Sequence, residues 1–467
     1  MSTEKFDNDT FFNDLRKKEY ARLDASGQVY LDYTGGNLYP KSLLDTHYQY
    51  LQNAVYGNPH SSNPTSLLSE KFVNEARQKV LDFFNAGDYY CIFTPNATGA
   101  IKIVGECYPF AADTHFLGTA DNHNSVNGIR EYCLNKGGSY SYCSMDLTDF
   151  SIDDSELSEQ LGRYPDKKNR MFAFPAQSNV TGVQHSLEWI QKAHKHGWDV
   201  LLDAAAFVPT SKLDLFIVRP DFVALSFYKI FGYPTGIGCL LVKKSKFNLL
   251  QKPWFSGGTV ILSSVAHGGH FLKTDHERFE NGTIDYLDIP AIANGLDFMS
   301  AITMDRITER IRSLSQLVLL GLQELRHDNG RPLVKLYGPN HVGNRGGTFL
   351  LNFFDVDGDL YPFQHIEQWA NAEKISLRTG CFCNPGIDEL NHGLPSEGLK
   401  NYFTSRETGD YDDMVRFLGK ARGAVRLSIG FPTLPSDIEK FMGFAKKLVS
   451  RTVLGKEVLV SDQVSNN

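Results

Sequence analysis

Two polar residues follow consecutive apolar runs that predict strands: Asp203 comes after residues 200–202, and Lys229 comes shortly after residues 222–225. In an open α/β sheet, ligands bind at the carboxyl ends of the strands. A lysine buried there can have a lowered pKa and react with carbonyl groups. Singly, Asp203 is more often a helix cap and Lys229 a solvated surface lysine. Together they predict a site for pyridoxal phosphate (PLP), which needs a lysine for covalent attachment and a carboxylate at its ring nitrogen.

The other groups that PLP needs also have candidates. Its phosphate binds hydroxyls and backbone N–H groups at a helix start, its ring stacks on a flat side chain, and its ring hydroxyl meets a polar group. Residues after other predicted strands meet these needs: Ala97, Thr98 and Ser226 for the phosphate, His123 for stacking, and Asn179 for the hydroxyl. Each residue alone could be a cap or turn residue. Their joint placement favours the cofactor.

The elements that must position these residues alternate between short apolar runs and helical segments. The runs that predict strands are residues 90–93, 115–117, 171–174, 200–202, 222–225 and 237–242. This alternation predicts an α/β fold whose mostly parallel sheet is covered by helices on both faces. After about residue 300, an amphipathic helix, two strands and a closing helix predict a smaller α+β domain. We expect a large domain over residues 60–300 and a small domain formed by residues 1–59 and 301–467.

Composition excludes several classes of function. The chain has 467 residues and a net charge of −7, so it has no general attraction for nucleic acid or anionic lipid. Its polar start is unlike an export signal, and no stretch approaches the ~20 apolar residues of a membrane span. The seven scattered cysteines favour free thiols in a reducing compartment, and the cytoplasm is the expected location.

Five motifs together resemble the class V aminotransferase family of fold type I PLP enzymes, and within it the cysteine desulfurases. They are residues 30–36, 56–61, 226–236, 278–283 and 377–386. The likeness is strongest to the N-terminal sulfurase domain of eukaryotic molybdenum cofactor sulfurases, and it extends over residues 28–445. It implies a large domain with a mostly parallel seven-stranded sheet sandwiched by helices, plus a smaller α+β domain.

The resemblance also implies a role for each site residue. The implied cofactor set is Lys229 for covalent attachment, Asp203 at the ring nitrogen, His123 stacked on the ring, Asn179 at the ring hydroxyl, and Ala97, Thr98 and Ser226 at the phosphate. Thr259 resembles a threonine that reaches the phosphate of the neighbouring subunit, so a homodimer is expected. Arg426 resembles the arginine that binds the substrate carboxylate, and Arg378 would assist it.

Cys383 matches the desulfurase cysteine in the pattern Arg-x-Gly-x-x-Cys, and it would be catalytic together with Lys229 and His123. Such a cysteine must be a mobile, partly exposed thiolate near positive charge. Arg378 and the glycines of its loop, Gly380 and Gly386, suit that demand. The alternative for a lone cysteine is a buried structural role. Zinc would need a second pair of ligands with proper spacing, and no metal site is predicted.

The predicted activity is PLP-dependent removal of sulfur from L-cysteine or a close relative, through a persulfide on Cys383, to leave alanine. One alternative is a PLP-dependent C–S lyase that acts on cysteine or an S-substituted cysteine and releases pyruvate and ammonia without using Cys383 as a nucleophile. A non-catalytic scaffold is another. The sequence departs from many desulfurases at Ala206, where they carry Gln, and from bacterial desulfurases at Tyr228, where they carry His. The pterin-binding second domain of the sulfurases is not expected in this chain, so the acceptor, a protein or a cofactor, stays open.

Overall fold

Fifteen strands are found in the computed structural model, which describes residues 2–452 and the side chains from residue 8 onward. They are β1 Val29–Tyr30, β2 Tyr89–Thr94, β3 His115–Thr119, β4 Ser139–Cys143, β5 Arg170–Pro175, β6 Asp199–Asp203, β7 Phe222–Ser226, β8 Gly238–Lys243, β9 Val260–Ser263, β10 His270–Leu272, β11 Val334–Tyr337, β12 Thr348–Phe353, β13 Ile375–Ser376, β14 Arg378–Gly380 and β15 Ala424–Ser428.

Within the described residues, eighteen α-helices connect and cover these strands. They are α1 Ser2–Glu19, α2 Ala21–Ser26, α3 Lys41–Asn53, α4 Pro64–Phe83, α5 Ala97–Cys107, α6 Asn124–Asn127, α7 Ile129–Asn135, α8 Asp154–Gly162, α9 Glu188–Lys195, α10 Leu215–Val218, α11 Phe227–Phe231, α12 Pro290–Ile302, α13 Met304–Glu324, α14 Phe363–Ala372, α15 Pro385–His392, α16 Ser396–Thr404, α17 Tyr411–Leu418 and α18 Pro435–Lys446. No helix in this part of the chain has both the length and the apolar composition of a membrane span.

The large sheet has seven strands in the order β2-β8-β7-β6-β5-β3-β4. Its strands pair in parallel from β7 to β4, whereas β8 is antiparallel to both of its neighbours. This confirms the predicted α/β architecture with a mostly parallel seven-stranded sheet. Six of the strands agree with the apolar runs of the sequence to within about two residues. The seventh, β4, was missed because its sequence, Ser-Tyr-Ser-Tyr-Cys, is polar and lies at the sheet edge.

Both faces of this sheet are buried, as a parallel sheet between helices requires. Along β6, Leu201 and Leu202 are fully buried but belong to separate apolar clusters, because successive side chains point to opposite faces. Phe222 and Val223 of β7 divide in the same way. The apolar strand sequences are therefore explained by packing on both sides, and only the strand ends are left for polar chemistry.

A second sheet, antiparallel throughout, has the order β11-β12-β15-β14. It contains the two strands predicted after residue 300, with α13 and α18 as the predicted amphipathic and closing helices. Near the start of the chain, β1 pairs in parallel with β13. This pairing brings part of the N-terminal segment to the C-terminal part of the chain. The predicted small domain and its boundaries stay a prediction, and its last fifteen residues lie outside the described residues.

Candidate active site

A cavity of about 150 Å³ lies at the carboxyl ends of the central strands of the large sheet. Seven of the predicted site residues line it: Ala97, Thr98, His123, Asn179, Asp203, Ser226 and Lys229. Residues that the sequence reasoning did not assign complete the lining, among them Asn96, Ser125, Gln177, Ala206 and Tyr228. The predicted residues therefore meet because each follows a strand of the same sheet, and the parallel strands end at one edge.

Lys229 lies in the single-turn helix α11, which begins directly after β7. The helix ends at Gly232, which has a φ of 83°. A Cβ there would approach the backbone nitrogen of Tyr39 to 2.3 Å, so only glycine fits this turn. Burial lowers the pKa of the Lys229 ammonium, while the nearby Asp203 carboxylate opposes this shift. The neutral amine that a nucleophile or base requires is consequently easier to form.

Asp203 and His123 face the same cavity from the ends of different strands. Asp203 is buried, and its Oδ1 accepts a hydrogen bond from the backbone N–H of Ala205 at 3.0 Å. The carboxylate thus also holds a turn, as the alternative interpretation expected. Burial lowers the pKa of His123, with Asp203 acting in the opposite direction. A neutral, half-buried imidazole is suited to stacking on an aromatic cofactor ring.

Hydroxyls gather at the start of helix α5. The backbone N–H of Ala97 donates to Ser226 Oγ at 2.8 Å, and Thr98 Oγ1 lies 2.7 Å from Ser125 Oγ. Asn96 caps the helix by accepting a hydrogen bond from the backbone N–H of Gly99 at 3.0 Å. A helix N-terminus surrounded by hydroxyls is suited to a phosphate group.

Cys383 does not line this cavity, but the fold brings its backbone next to the turn that carries His123, although the two are far apart in sequence. Its side chain is exposed, and its carbonyl oxygen accepts a hydrogen bond from the backbone N–H of Asn124 at 2.7 Å. The preceding residue, Phe382, is held by Asn179 Nδ2, which donates to its carbonyl oxygen at 3.0 Å. The hydrogen bond from Asn124 places the backbone of Cys383 beside the residue that follows His123, and Lys229 is close enough to the Cys383 side chain for their charges to interact.

One of the two glycines that were expected to make the loop around Cys383 mobile is instead tightly packed. A Cβ on Gly386 would approach the carbonyl oxygen of Ala120 to 1.9 Å, so this glycine serves close packing rather than mobility. Gly380 ends strand β14 and has a φ of 104° with open space around it, so its contribution to mobility stays a prediction. The neighbouring thiol, Cys381, is half-buried, and burial raises its pKa to about 12, with Asp388 adding to the shift. Cys381 thus stays protonated and is a poor nucleophile.

The two predicted substrate-binding arginines share one carboxylate that the sequence reasoning did not assign, Asp32. Arg426 is buried, and its Nη2 donates to Asp32 Oδ1 at 2.8 Å. The half-exposed Arg378 donates to Asp32 Oδ2 from Nε at 2.9 Å and from Nη2 at 2.7 Å. Arg426 Nη1 also donates to the carbonyl oxygen of Asn179 at 3.0 Å, which joins the arginine to the cavity. Two guanidinium groups and one carboxylate leave this cluster with one net positive charge.

Thr259 does not line the cavity. It is buried at the base of the hairpin formed by β9 and β10, and its hydroxyl donates to the carbonyl oxygen of Ser256 at 2.8 Å. Its predicted contact with the phosphate of a second subunit stays a prediction.

The residues present fit PLP. The donors at the start of α5 suit the phosphate, His123 is a flat neutral ring, Asp203 supplies a buried carboxylate, and Lys229 has a lowered pKa. These groups supply the four kinds of contact that the cofactor needs. Among residues 2–452, no group of three or more His, Cys, Asp or Glu side chains is placed to hold a metal ion.

Comparisons with known proteins point in the same direction. The family model for class V aminotransferases matches residues 29–441. The molybdenum cofactor sulfurase of Solanum lycopersicum is 36% identical over 93% of this chain, which spans 57% of that relative's length. The cysteine desulfurase of Thermococcus onnurineus has the same fold, with a TM-score of 0.77 and 23% identity over 94% of this chain and 98% of that one. The cystine C–S lyase C-DES, solved with its product cysteine persulfide, superposes with a TM-score of 0.70 and 18% identity over 90% and 98% of the two chains.

Proposed function

Because the chain belongs to the class V aminotransferase family, we propose that it is a PLP-dependent cysteine desulfurase, which takes sulfur from L-cysteine or a close relative and leaves alanine. The observation that carries the proposal is the position of Cys383. Cys383 is exposed, its carbonyl oxygen accepts a hydrogen bond from the backbone N–H of Asn124, the residue after His123, and its side chain is close enough to Lys229 for their charges to interact. A desulfurase needs a thiol at this place, whereas most other PLP reactions do not.

Three side chains would bind the substrate and move its proton. The Arg426 guanidinium, held by Asp32, binds the substrate carboxylate, and Arg378 adds positive charge from the other side of Asp32. Lys229 Nζ takes the proton from the substrate Cα, and its lowered pKa favours the neutral form that can accept it. PLP, when bound, supplies the electron sink that stabilises negative charge at this carbon.

Cys383 takes the sulfur. Its thiolate forms a bond with the substrate sulfur as the bond between that sulfur and Cβ breaks. The electron pair stays on carbon, which gains a proton, so that one cysteine and one thiol become alanine and a persulfide. The persulfide is on an exposed residue, and we infer that it passes its outer sulfur to an acceptor protein or cofactor. We also propose that the enzyme works as a homodimer in the cytoplasm.

A C–S lyase is the second candidate function. It is favoured by the fold that the chain shares with the cystine C–S lyase C-DES. Such an enzyme would use Lys229, Asp203 and Arg426 in the same way but would release pyruvate and ammonia. The two functions therefore differ in whether Cys383 is needed.

Replacement of Cys383 by serine separates the two functions. If the enzyme is a desulfurase, Cys383→Ser should retain L-cysteine binding and lose alanine formation by about 100-fold or more, because serine cannot form a persulfide. Quantifying alanine, pyruvate and the trapped persulfide checks this. The matched control is Cys381→Ser, which should keep most activity because its thiol is protonated and half-buried. Unchanged turnover in Cys383→Ser, with pyruvate as the product, would support the lyase. A purified protein without the visible absorbance of bound PLP would indicate a scaffold.

A further inference from the structure

Asn384, the residue after Cys383, is the most constrained polar side chain near the thiol. It is 1% exposed, and its Oδ1 caps helix α15 by accepting a hydrogen bond from the backbone N–H of Ile387 at 3.3 Å. Its Nδ2 donates to the carbonyl oxygen of Asp121 at 2.6 Å and to Asn179 Oδ1 at 3.0 Å. Only this orientation of the Asn384 amide places its oxygen at one N–H donor and its nitrogen at two oxygen acceptors, so these three hydrogen bonds fix the orientation of the side chain.

The backbone just before Asn384 has a shape that costs free energy. Phe382 and Cys383 have φ values of 56° and 53°, in the left-handed region that side chains other than glycine rarely adopt. Such a conformation persists only where surrounding contacts hold it, and it is often found at functional sites. Here the contacts are the hydrogen bonds from Asn179 to the Phe382 carbonyl and from Asn124 to the Cys383 carbonyl.

Asn384 connects these contacts to the cavity. By donating to Asn179 Oδ1, it turns the other end of that amide, Nδ2, toward the Phe382 carbonyl. By donating to Asp121, it attaches the loop to the turn that carries His123 and Asn124. The carbonyl oxygen of Asn179 in turn accepts from Arg426. Asn179 therefore connects the loop of Cys383, which its side chain contacts, with Arg426 of the predicted substrate-carboxylate site, which donates to its backbone carbonyl.

We propose that Asn384 is a positioning residue that holds the backbone of Cys383 in its left-handed conformation, next to the turn that carries His123, through its two donated hydrogen bonds. The inference rests on the proposed desulfurase function, since it assigns a purpose to the backbone conformation of the residue that carries the exposed thiol. It separates two roles of one side chain. The Oδ1 atom caps a helix, whereas Nδ2 orients Asn179 and the loop, and only the second role serves the transfer of sulfur.

Two variants separate these roles, because serine and aspartate are also good helix caps but cannot make both donations. Asn384→Ser adds no charge, and Asn384→Asp keeps the size of the side chain. The matched control is Asn63→Ser, which makes the same change at the cap of α4, where Asn63 Oδ1 accepts from the Ser66 N–H at 3.0 Å. In unliganded protein, amide hydrogen exchange over residues 120–127 and 381–387 should become about tenfold faster in both Asn384 variants. The control should leave it unchanged. Unaltered exchange in the Asn384 variants would overturn the proposal.

Turnover of L-cysteine by the PLP-loaded enzyme supplies the second measurement. Both Asn384 variants should lose about tenfold in kcat for alanine formation, with KM changed by less than about threefold, because Arg426 and Lys229 are untouched. Normal kcat in variants that retain the cap would show that Asn384 is only a cap, and would also overturn the proposal. If the wild-type protein forms no alanine, the proposed function fails, whereas the exchange measurement still decides whether Asn384 holds the loop.

Discussion

At the scale of single residues, the candidate site depends on a charge balance centred on Asp32. The buried Arg426 lies in surroundings that disfavour its charged form, and burial lowers its pKa despite the adjacent carboxylate. Asp32 is itself buried and contacts both Arg426 and Arg378. Removing one member of a buried ion pair leaves a charge without its partner, which costs more free energy than the pair contributes.

The variant Asp32→Asn should accordingly be less stable by about 3 kcal/mol, because Arg426 loses its counter-ion in a buried position. Chemical denaturation of the unliganded protein measures the free energy of unfolding. The control is Asp24→Asn, which removes a half-exposed carboxylate from Arg16 and should cost less than about 1 kcal/mol. Equal effects of the two variants would show that Asp32 is no more than an ordinary surface partner.

Asp32 also illustrates which site residues could be predicted from the sequence. Lys229 and Asp203 could be predicted, because each follows an apolar strand and the carboxyl end of a parallel strand is a known location of ligand sites. Asp32 lay within one of the motifs of the family resemblance, but its partners come 346 and 394 positions later. No local pattern specifies a pair that forms only when the first strand reaches the small domain.

At the scale of elements, the strand that the sequence did not predict makes polar side-chain contacts with its neighbour in addition to its backbone pairing. On β3, His115 is buried, and its two ring nitrogens lie 2.7 Å from Ser139 Oγ and 2.9 Å from Ser141 Oγ of β4. Its ring also stacks on Tyr164 at 3.7 Å between centroids. The two serines that interrupt the apolar pattern of β4 are thus partners of a buried histidine. Apolar periodicity alone does not indicate a strand of this kind.

This arrangement predicts a loss of stability in acid. Burial lowers the pKa of His115 to about 4, below the ordinary value of 6.5. Between these values the unfolded chain binds a proton that the folded chain does not, so stability falls as the pH decreases from 6.5 toward 4. The contribution is about 2 kcal/mol between pH 7.5 and pH 5.

The measurement is denaturant unfolding at both pH values. The variant His115→Gln should show a smaller loss between pH 7.5 and pH 5 than the wild-type protein, even if it is less stable at pH 7.5. The exposed His267→Gln should retain the full loss. An identical loss in all three proteins would exclude His115 as the source.

At the scale of the whole molecule, the hairpin of β9 and β10 carries several large apolar side chains that are exposed in the single chain. Leu262 and Phe271 are paired across the hairpin and are 60% and 67% exposed, and Val265 in its turn is fully exposed. Patches of this kind mark sites of association. Thr259 lies at the base of the same hairpin, where its carbonyl oxygen accepts from the Lys273 N–H at 2.9 Å. Thr259, for which a contact with another subunit's phosphate is predicted, thus lies on the same element as this exposed apolar surface.

We accordingly predict a homodimer that buries this hairpin, with an interface of more than about 2,000 Å². Analytical ultracentrifugation of the wild-type protein should give twice the mass of one chain. The double variant Leu262→Asp and Phe271→Asp places two like charges on the covered surface and should yield monomers that have lost most turnover, because each site would lack the other subunit's Thr259. Phe216→Asp, on an equally exposed apolar residue of α10, should leave both mass and turnover unchanged. A wild-type protein that stays monomeric and fully active at high dilution would refute the shared site.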